Sequence, residues 1–349
     1  MATPKGTNGF PVRNLIPLLC AGLAAAWVLF LLQPDDDSLV IYCAHDAVYS
    51  SEILDEFTRQ TGIKVSRRFD TEATKSLGLV NLLVSEKDNP RCDVFWNNQV
   101  LGTVHLQSRG ILQPFKGKGW TRIPADYKDP DGYWTGFAGR LRVIIYNSEN
   151  LAAEDVDQKL ENDLSKFAFA KPIFGTTLTH FSVLWRDLGA EPVQKFHTTL
   201  KKRGARMVAG NSTVKNVVAD GACDFGWTDT DDYFVAKDEG RPVEILPIRT
   251  ADGSTICIPN SVAIIKGTDR KADAQRLVEF LLSQETELRL ARSRARQIPL
   301  GTLDADAESE IPDEVRPLIE WAQQAVRYDT PLAVARDECL DWLTAEYLE

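Results

Sequence analysis

From residue 38 onward, short apolar runs alternate with amphipathic stretches, and this alternation constrains the fold more than any other feature. The run "SLVIYCA" predicts a buried strand, and "SSEILDEFTRQTG" predicts a helix that ends at Gly62. Ile53, Leu54 and Phe57 share one face of that helix. The same pair of elements recurs in "CDVFWN" and "QVLGTVHLQSRG". Strand and helix in alternation predict an α/β fold, in which helices cover the faces of a parallel sheet.

The N-terminal segment before the first predicted strand has a different composition. Lys5 and Arg13 precede an uncharged stretch, residues 15–32, that is long enough to cross a hydrocarbon core of ~30 Å as a helix. The positive charges lie on its N-terminal side only, so the positive-inside rule places everything after Gln33 on the extracytoplasmic, periplasmic side. We predict an uncleaved membrane anchor, with a cleaved signal peptide and lipid modification of Cys20 as the alternatives.

Charge and cysteine content limit the possible partners. The 349 residues are 44% apolar and carry a net charge of −10, which argues against binding to nucleic acid. Five of the six cysteines follow the N-terminal segment, and no CxxC or similar metal-binding spacing is present. We interpret most of these five as small buried side chains. They are Cys43, Cys92, Cys223, Cys257 and Cys339.

Polar clusters follow several predicted strands at the point where each strand ends. In open α/β sheets, ligands bind at the carboxyl ends of the strands, in the loops that lead into the next helices. We therefore expect one ligand site that draws on loops distant in sequence. The clusters are "HDAVYS", "NNQ", "GTTLTH", "GNST" and "TDTDDY".

Two of these clusters have the composition of anion-binding turns. "GTTLTH" and "GNST" place glycine, hydroxyl and amide groups where a strand turns into a helix, and exposed N–H groups at a helix start attract anions. Thr176, Thr177, Asn211 and Ser212 are the candidate anion-binding side chains. The alternative is ordinary N-capping of the two helices.

The cluster "TDTDDY" packs Asp229, Asp231 and Asp232 into four positions. Carboxylates so close together repel one another unless a cation, hydrogen-bond donors or water compensates them. We expect Asp229 to cap the following helix, and Asp231 or Asp232 to meet a cationic group of the ligand, an amine or a metal, or to accept sugar-like hydroxyls. The alternative is a structural role in the first turn of that helix, where the macrodipole offsets the charges.

Four further residues are weighed as parts of the site. His45 and Asp46 end the first strand and are expected to face the ligand, although a surface position is the alternative for His45. Arg140 and Arg142 lie two apart on one strand and therefore share a face, so either of them is expected to steady the aspartates or to bind an anionic ligand, with Arg142 as the candidate ligand contact. His180 is expected on a helix surface.

Several segments together resemble one family. The chain is similar to the ferric-iron-binding group of ABC-importer solute-binding proteins, in the right order from about residue 38 to about residue 300. The segments that carry the resemblance are "YCAHDAVYSSEILDEFTRQTGIKV", "DNPRCDVFWNN", "YKDPDGYWTGFAGRLRVIIYN", "FGTTLTH", "AGNSTVKNVVADGACDFGWTDTDD", "IPNSVAIIKG" and "RQIPL".

The resemblance implies a two-lobed periplasmic-binding-protein fold of type II, with a hinge and a ligand cleft between the lobes. The implied divisions are residues 1–37 for the anchor, 38–138 plus 263–349 for the first lobe, and 139–262 for the second. The segments "GFAGRLRVIIYN" and "PNSVAIIKG" are expected to cross between the lobes. The implied partners are the permease subunits of the importer, and the implied ligand is Fe(III) with a synergistic anion, carried as cargo with no resident cofactor.

The expected metal ligands differ from those of the family. Iron-binding relatives have paired tyrosines at the position of Asp231 and Asp232, and a glutamate at that of Asn98, while Tyr233 is one position late. Carboxylates also bind hard cations, so Asp231 and Asp232 are the candidate metal ligands. A phosphorylated or phosphonate-bearing organic solute is the alternative ligand, because it suits both the anion-binding turns and the carboxylates.

A binding protein is expected, not an enzyme. An exported hydrolase that uses His45, Asp46 and the aspartate pair as acid and base is the alternative from another class. Neither GxSxG nor HExxH is present to support it.

Overall fold

The computed structural model describes residues 37–70 and 77–348, in which helices and strands alternate as the sequence predicts. The strands are β1 (Leu39–Cys43), β2 (Val65–Phe69), β3 (Val94–Asn97), β4 (Leu112–Gln113), β5 (Thr135–Asn147), β6 (Phe167–Ala170), β7 (Arg206–Val208), β8 (Phe225–Asp229), β9 (Val243–Pro247) and β10 (Cys257–Ile265).

The helices cover both faces of the sheet. They are α1 (Ala47–Thr61), α2 (Leu77–Ser85), α3 (Leu101–Ser108), α4 (Lys118–Arg122), α5 (Val156–Asn162), α6 (Gly175–Leu188), α7 (Ala190–Lys202), α8 (Asn211–Ala219), α9 (Thr230–Asp238), α10 (Lys271–Leu281), α11 (Gln284–Arg292), α12 (Ala305–Ser309), α13 (Arg316–Ala322) and α14 (Thr330–Leu348).

The strands form two groups with the same order. In the first group, β1 lies between β2 and β3 and is parallel to both, and β10 runs antiparallel beside β3. In the second group, β6 lies between β7 and β8 and is parallel to both, and β5 runs antiparallel beside β8. The groups are completed by β4 beside β10 and by β9 beside β5. Each group therefore directs the carboxyl ends of three parallel strands toward one edge.

Strand β5 joins the two groups. Its first half pairs with β10 through Leu141, and its second half pairs with β8 from Arg142 onward. All of its residues are buried. Ala138, within the first half, has a φ of 43°, which is unusual for a residue with a side chain. The predicted crossing "GFAGRLRVIIYN" thus coincides with the strand that changes partners, while the division into lobes at residues 138 and 262 stays a prediction.

Local sequence signals account for several element ends. Helix α1 ends at Gly62, which has a φ of 74° and whose N–H donates to the carbonyl of Thr58, as the glycine stop signal predicts. Ile53, Leu54 and Phe57 are buried beneath that helix. The five cysteines in the described part of the chain are buried and unpaired, which confirms the prediction made for them.

The predicted membrane anchor, residues 15–32, lies outside the described residues. Among the residues that the structure does describe, no helix is both long enough and apolar enough to cross a membrane.

Candidate functional site

Three helices begin around one cavity of about 280 Å³. Helices α6, α8 and α9 follow the parallel strands β6, β7 and β8, so their N-termini meet at the carboxyl edge of the second strand group. Residues from the ends of β1 and β3 complete the wall. The wall includes all predicted ligand-binding residues except Arg142, namely His45, Asp46, Asn98, Thr176, Thr177, Asn211, Ser212, Asp231 and Asp232. Their role in binding stays a prediction.

Asp229 is held by side chains and not by the helix that it precedes. It occupies the N-cap position of α9 but makes no capping hydrogen bond to the described residues of that helix, so the expected capping role is wrong. Oδ1 accepts a hydrogen bond from Arg142 at 2.7 Å. Oδ2 accepts hydrogen bonds from Thr176 Oγ1 at 2.6 Å and from Asn211 Nδ2 at 2.9 Å. Both oxygens therefore accept hydrogen bonds, and Asp229 connects side chains of β5, α6 and α8 in the cavity wall.

Arg142 lies behind this wall and not on the cavity surface. It stands directly opposite Asp229 in the pairing of β5 with β8, and its side chain is fully buried. Its Nη1 donates to Asp229 and to Asn211 Oδ1 at 3.1 Å. Within the described residues, Nε and Nη2 have no hydrogen-bond partner. The structure thus shows Arg142 bonded to Asp229 and absent from the residues that line the cavity, and its predicted contact with a ligand stays a prediction.

The three aspartates form one acidic cluster, in which carboxylate oxygens lie within 4.8 Å of one another. Asp232 accepts a hydrogen bond from Thr228 Oγ1 at 2.8 Å, and the backbone N–H of Asp232 donates to Asp231 Oδ1 at 3.1 Å. Burial, followed by the charges of Asp231 and Asp229, raises the pKa of Asp232 to about 8. Burial and the two neighbouring charges thus favour the protonated form of the Asp232 carboxyl group.

Arg140 connects the acidic cluster to the first strand group. Its Nη2 donates to the backbone carbonyl of Asn98 at 2.6 Å. Its Nε lies 3.7 Å from Asp229 and 3.8 Å from Asp231. Arg140 and Arg142 both approach Asp229, as the prediction of a shared strand face requires. Unlike Arg142, Arg140 lines the cavity, so it is the arginine available to a ligand.

The two predicted anion-binding turns start α6 and α8. Among the described residues, neither start has a side-chain capping bond. Thr176 instead bonds Asp229, and Thr177 Oγ1 donates to Asn211 Oδ1 at 3.2 Å. Three of the four predicted side chains therefore hold the wall together, whereas Ser212 is exposed. What these turns offer an anion is chiefly the partial positive charge of the helix starts.

His45 is buried, which excludes the surface position considered for it. Its ring stacks on Trp96 with centroids 5.1 Å apart, and its Nε2 lies 2.8 Å from Gln297 Nε2. Trp96 is fully buried beneath it, so this aromatic residue packs and does not line the cavity. Asp46 precedes α1 and stands at the cavity wall beside His45.

The prediction that His180 lies on a helix surface is wrong. Its side chain is 1% exposed, with its ring 4.7 Å from that of Trp227. Burial and then the charge of Arg142 lower the pKa of His180 well below its usual value, so it stays neutral. The helix α6 that carries it is covered by α14, as the hydrogen bond of 3.1 Å from Trp185 to Glu338 shows.

Lys171 is a wall residue that the sequence analysis does not name, and it directly follows β6. Gly175, the glycine of the "GTTLTH" cluster, starts α6 with a φ of 51° that favours glycine. Lys171 could have been found by the strand-end rule that singled out the clusters. Tyr233 is not part of the wall, because its hydroxyl donates to Glu244 at 3.2 Å. Among the described residues of the wall, none is a tyrosine.

Comparisons with known proteins agree with this architecture. The chain is 25% identical over 303 residues to the major ferric iron-binding protein of Neisseria meningitidis, covering 81% of this chain and 85% of that relative. Iron-bound HitA from Pseudomonas aeruginosa superposes with a TM-score of 0.75 at 21% identity, over 88% of this chain and 98% of HitA. The periplasmic binding protein AfuA from Actinobacillus pleuropneumoniae, with fructose-6-phosphate bound, superposes with a TM-score of 0.61 at 19% identity. The superposition covers 83% of this chain and 99% of AfuA.

These neighbours confirm the predicted two-lobed periplasmic-binding-protein fold. A family model described as bacterial extracellular solute-binding protein matches residues 52–315, about three quarters of the chain. The chain belongs to the family of bacterial extracellular solute-binding proteins.

Proposed function

We propose that this protein is the solute-binding component of an ABC importer and that it captures ferric iron together with a small anion. The observation that carries the proposal is the acidic cluster of Asp229, Asp231 and Asp232 beside three helix starts, because it places cation-binding and anion-binding groups on one wall. Asp231 and Asp232 are the proposed iron ligands, since both oxygens of Asp229 already accept hydrogen bonds from other side chains.

The relatives support the iron part of the proposal. The Neisseria relative is a ferric iron-binding protein, and HitA has been solved with iron bound. The proposed partners are the permease subunits of the importer, which receive the closed, loaded protein on the periplasmic side. Membership of a solute-binding family favours binding over the hydrolase alternative, which a turnover screen against phosphoesters tests.

Calorimetric titration of the full-length protein with ferric citrate tests the proposal. We expect saturable binding, and we expect the double variant Asp231→Asn, Asp232→Asn to lose it. A matched double variant of exposed carboxylates, Glu239→Gln with Asp313→Asn, should bind as the wild type does. Absence of saturable binding by the wild type would exclude ferric iron as the ligand.

A phosphorylated or phosphonate-bearing organic solute is the second candidate. It is favoured by the position of Lys171 and Ser212 on the wall near the helix starts, and by the lack of tyrosine among the described wall residues. AfuA, which has the same fold, has been solved with a sugar phosphate. In this case the acidic cluster would meet an ammonium or hydroxyl groups of the solute.

The anion-binding part of the wall can be tested without knowing the solute. We expect Lys171→Met to weaken binding of inorganic phosphate by roughly 1.5–3 kcal/mol, the range for a hydrogen bond to a charged group. Lys202→Met, which removes an exposed lysine at the end of α7, should leave phosphate binding unchanged. Equal calorimetric affinities in the two variants would mean that Lys171 takes no part in anion binding.

The N-terminal segment leads to a separate prediction. If residues 15–32 form an uncleaved anchor, the full-length protein should fractionate with membranes and keep its own N-terminus. Fractionation and N-terminal sequencing measure both properties. A mature chain that starts at Trp27, or a lipid on Cys20, would exclude the uncleaved anchor.

A further inference from the structure

His45 lines the same cavity as the acidic cluster, although its ring nitrogens do not belong to the group of ligand atoms that lie within 4.8 Å of one another. Imidazole binds a metal through a nitrogen lone pair, and the availability of that lone pair depends on which ring nitrogen carries the proton. The hydrogen bonds behind His45 decide this question, because they run through buried amides whose orientation is fixed.

The chain of hydrogen bonds begins at the left-handed residue of β5. Asn260 Nδ2 lies 2.6 Å from the carbonyl oxygen of Ala138 and 2.8 Å from Gln297 Oε1. A carbonyl oxygen only accepts, so the amide atom of Asn260 that faces Ala138 must be its nitrogen. A reversed amide would place two oxygens 2.6 Å apart. The orientation of Asn260 is therefore set by the backbone.

The orientation of Gln297 follows from that of Asn260. The second N–H of Asn260 is directed at Gln297, so the atom of Gln297 that receives it is the oxygen. The amide nitrogen of Gln297 then faces His45 Nε2 at 2.8 Å. An amide nitrogen only donates, so Nε2 of His45 must accept and the proton must be on Nδ1. Gln297 and Asn260 are both at least 99% buried, so water does not compete for these bonds.

From this geometry we infer that Gln297 is a positioning residue that withholds the His45 imidazole from a metal in the cavity. The Nε2 lone pair is occupied by the Gln297 N–H, and Nδ1 carries a proton, so neither nitrogen can coordinate a metal while the bond persists. Coordination is left to the carboxylates of Asp231 and Asp232. Carboxylate oxygens suit hard cations, whereas Zn²⁺ and Co²⁺ also favour imidazole nitrogen. Gln297 thus biases the cavity toward hard cations.

This inference deepens the proposed function, since it concerns the selectivity of the same cavity. The part about the tautomer does not depend on any ligand. In the empty full-length protein labelled with ¹⁵N-histidine, the ¹⁵N shifts of His45 should show a protonated Nδ1 and a hydrogen-bonded, unprotonated Nε2. His45→Phe identifies the signals. A proton on Nε2 in the wild type would overturn the inference, whatever ligand the protein transports.

The second measurement uses Zn²⁺ alone as the probe. In the wild type, Zn²⁺ at saturation should leave the His45 shifts in their uncoordinated positions. In Gln297→Ala, Nε2 should show a coordination shift and Zn²⁺ affinity should rise by roughly tenfold or more, the lower range of such indirect effects. The additional change His45→Phe should cancel that gain. A coordination shift at His45 in the wild type, or no gain in a folded Gln297→Ala, would overturn the withholding role.

These results can be separated from those of the proposed function. If ferric citrate fails to bind the wild type while the His45 tautomer and the Zn²⁺ results are as expected, the iron proposal fails and the role of Gln297 stands. If Gln297→Ala does not fold, Gln297→Glu gives the same test with a partner of similar size. The carboxylate accepts where the amide donated, so Nε2 of His45 should carry a proton in this variant. An Nε2 that stays unprotonated would overturn the inference.

Discussion

Replacing Arg142 by methionine is expected to lower the free energy of unfolding of the empty protein by about 3–5 kcal/mol, the usual effect of removing one partner of a buried ion pair. Arg142 is fully buried and lies 2.7 Å from Asp229, whose side chain is 5% exposed. Without the Arg142 guanidinium, the buried Asp229 carboxylate keeps the hydrogen bonds from Thr176 and Asn211, but its one remaining cationic neighbour is Arg140, whose Nε lies 3.7 Å away. Denaturant unfolding followed by circular dichroism measures the change.

A matched control and a double variant separate the buried charge from lost packing. Lys237→Met removes a lysine that pairs with Glu244 at 2.6 Å, where both side chains are more than 40% exposed, so it should change stability by less than about 1 kcal/mol. Adding Asp229→Leu to Arg142→Met removes both charges and should recover much of the lost stability. If the double variant is as unstable as the single one, packing and not an uncompensated carboxylate explains the effect.

The elements of this fold could be predicted because each has a local cause. The alternation of apolar runs and amphipathic stretches fixes the order of β1, α1 and β2, and Gly62 ends α1 through its own backbone freedom. The strand-end rule also brought distant clusters to one cavity, since it depends only on parallel strands sharing an edge. The change of partners within β5 coincides with a predicted crossing, because a strand of 13 buried residues is long enough to pair with both strand groups.

The partners within the site could not be predicted, because they depend on register and on long-range packing. Arg142 meets Asp229 only because the pairing of β5 with β8 places them opposite each other, 87 residues apart in sequence. The bond between His45 and Gln297 spans 252 residues. The burial of His180 could not be predicted, because α14, at the far end of the chain, covers the helix that carries this residue. In each case the residue that makes the decisive contact is distant in sequence, so local sequence patterns do not indicate it.

The acidic cluster gives a pH-dependent prediction for the empty protein. Burial and the neighbouring carboxylates raise the pKa of Asp232 to about 8, whereas an aspartate in the unfolded chain has a pKa of about 3.9. Between these values the folded protein holds a proton that the unfolded chain has released, so Asp232 makes stability fall as pH rises, by up to about 1.4 kcal/mol per pH unit. Asp232→Asn removes this loss. Its stability relative to the wild type should therefore increase from pH 5 to pH 8 and level off above that.

The same substitution should have the opposite effect once a cation occupies the cavity. A bound cation displaces the Asp232 proton and turns the repulsion among Asp229, Asp231 and Asp232 into attraction toward a shared charge. Asp232→Asn loses one of the two proposed ligands, so ferric citrate should bind it at least tenfold more weakly. The variant should also lose most of the thermal shift, because that shift grows with the ratio of ligand concentration to Kd.

The two observables together separate a binding role from a structural one. If the carboxylates serve only the fold, Asp232→Asn should be less stable without ligand, because an amide oxygen accepts the Thr228 hydroxyl more weakly than a carboxylate does. The ferric citrate affinity should then be unchanged. If the carboxylates bind a cation, both results should be the reverse. Glu239→Gln, which changes the exposed residue directly after the same helix, is the control that should change neither measurement. A less stable empty variant with unchanged affinity would therefore exclude Asp232 as a ligand and leave only Asp231 to meet the cation. The crowding of the three carboxylates serves binding only if a bound cation offsets their repulsion. The change that Asp232→Asn makes in stability without ligand, and the change that it makes in ferric citrate affinity, together decide this question.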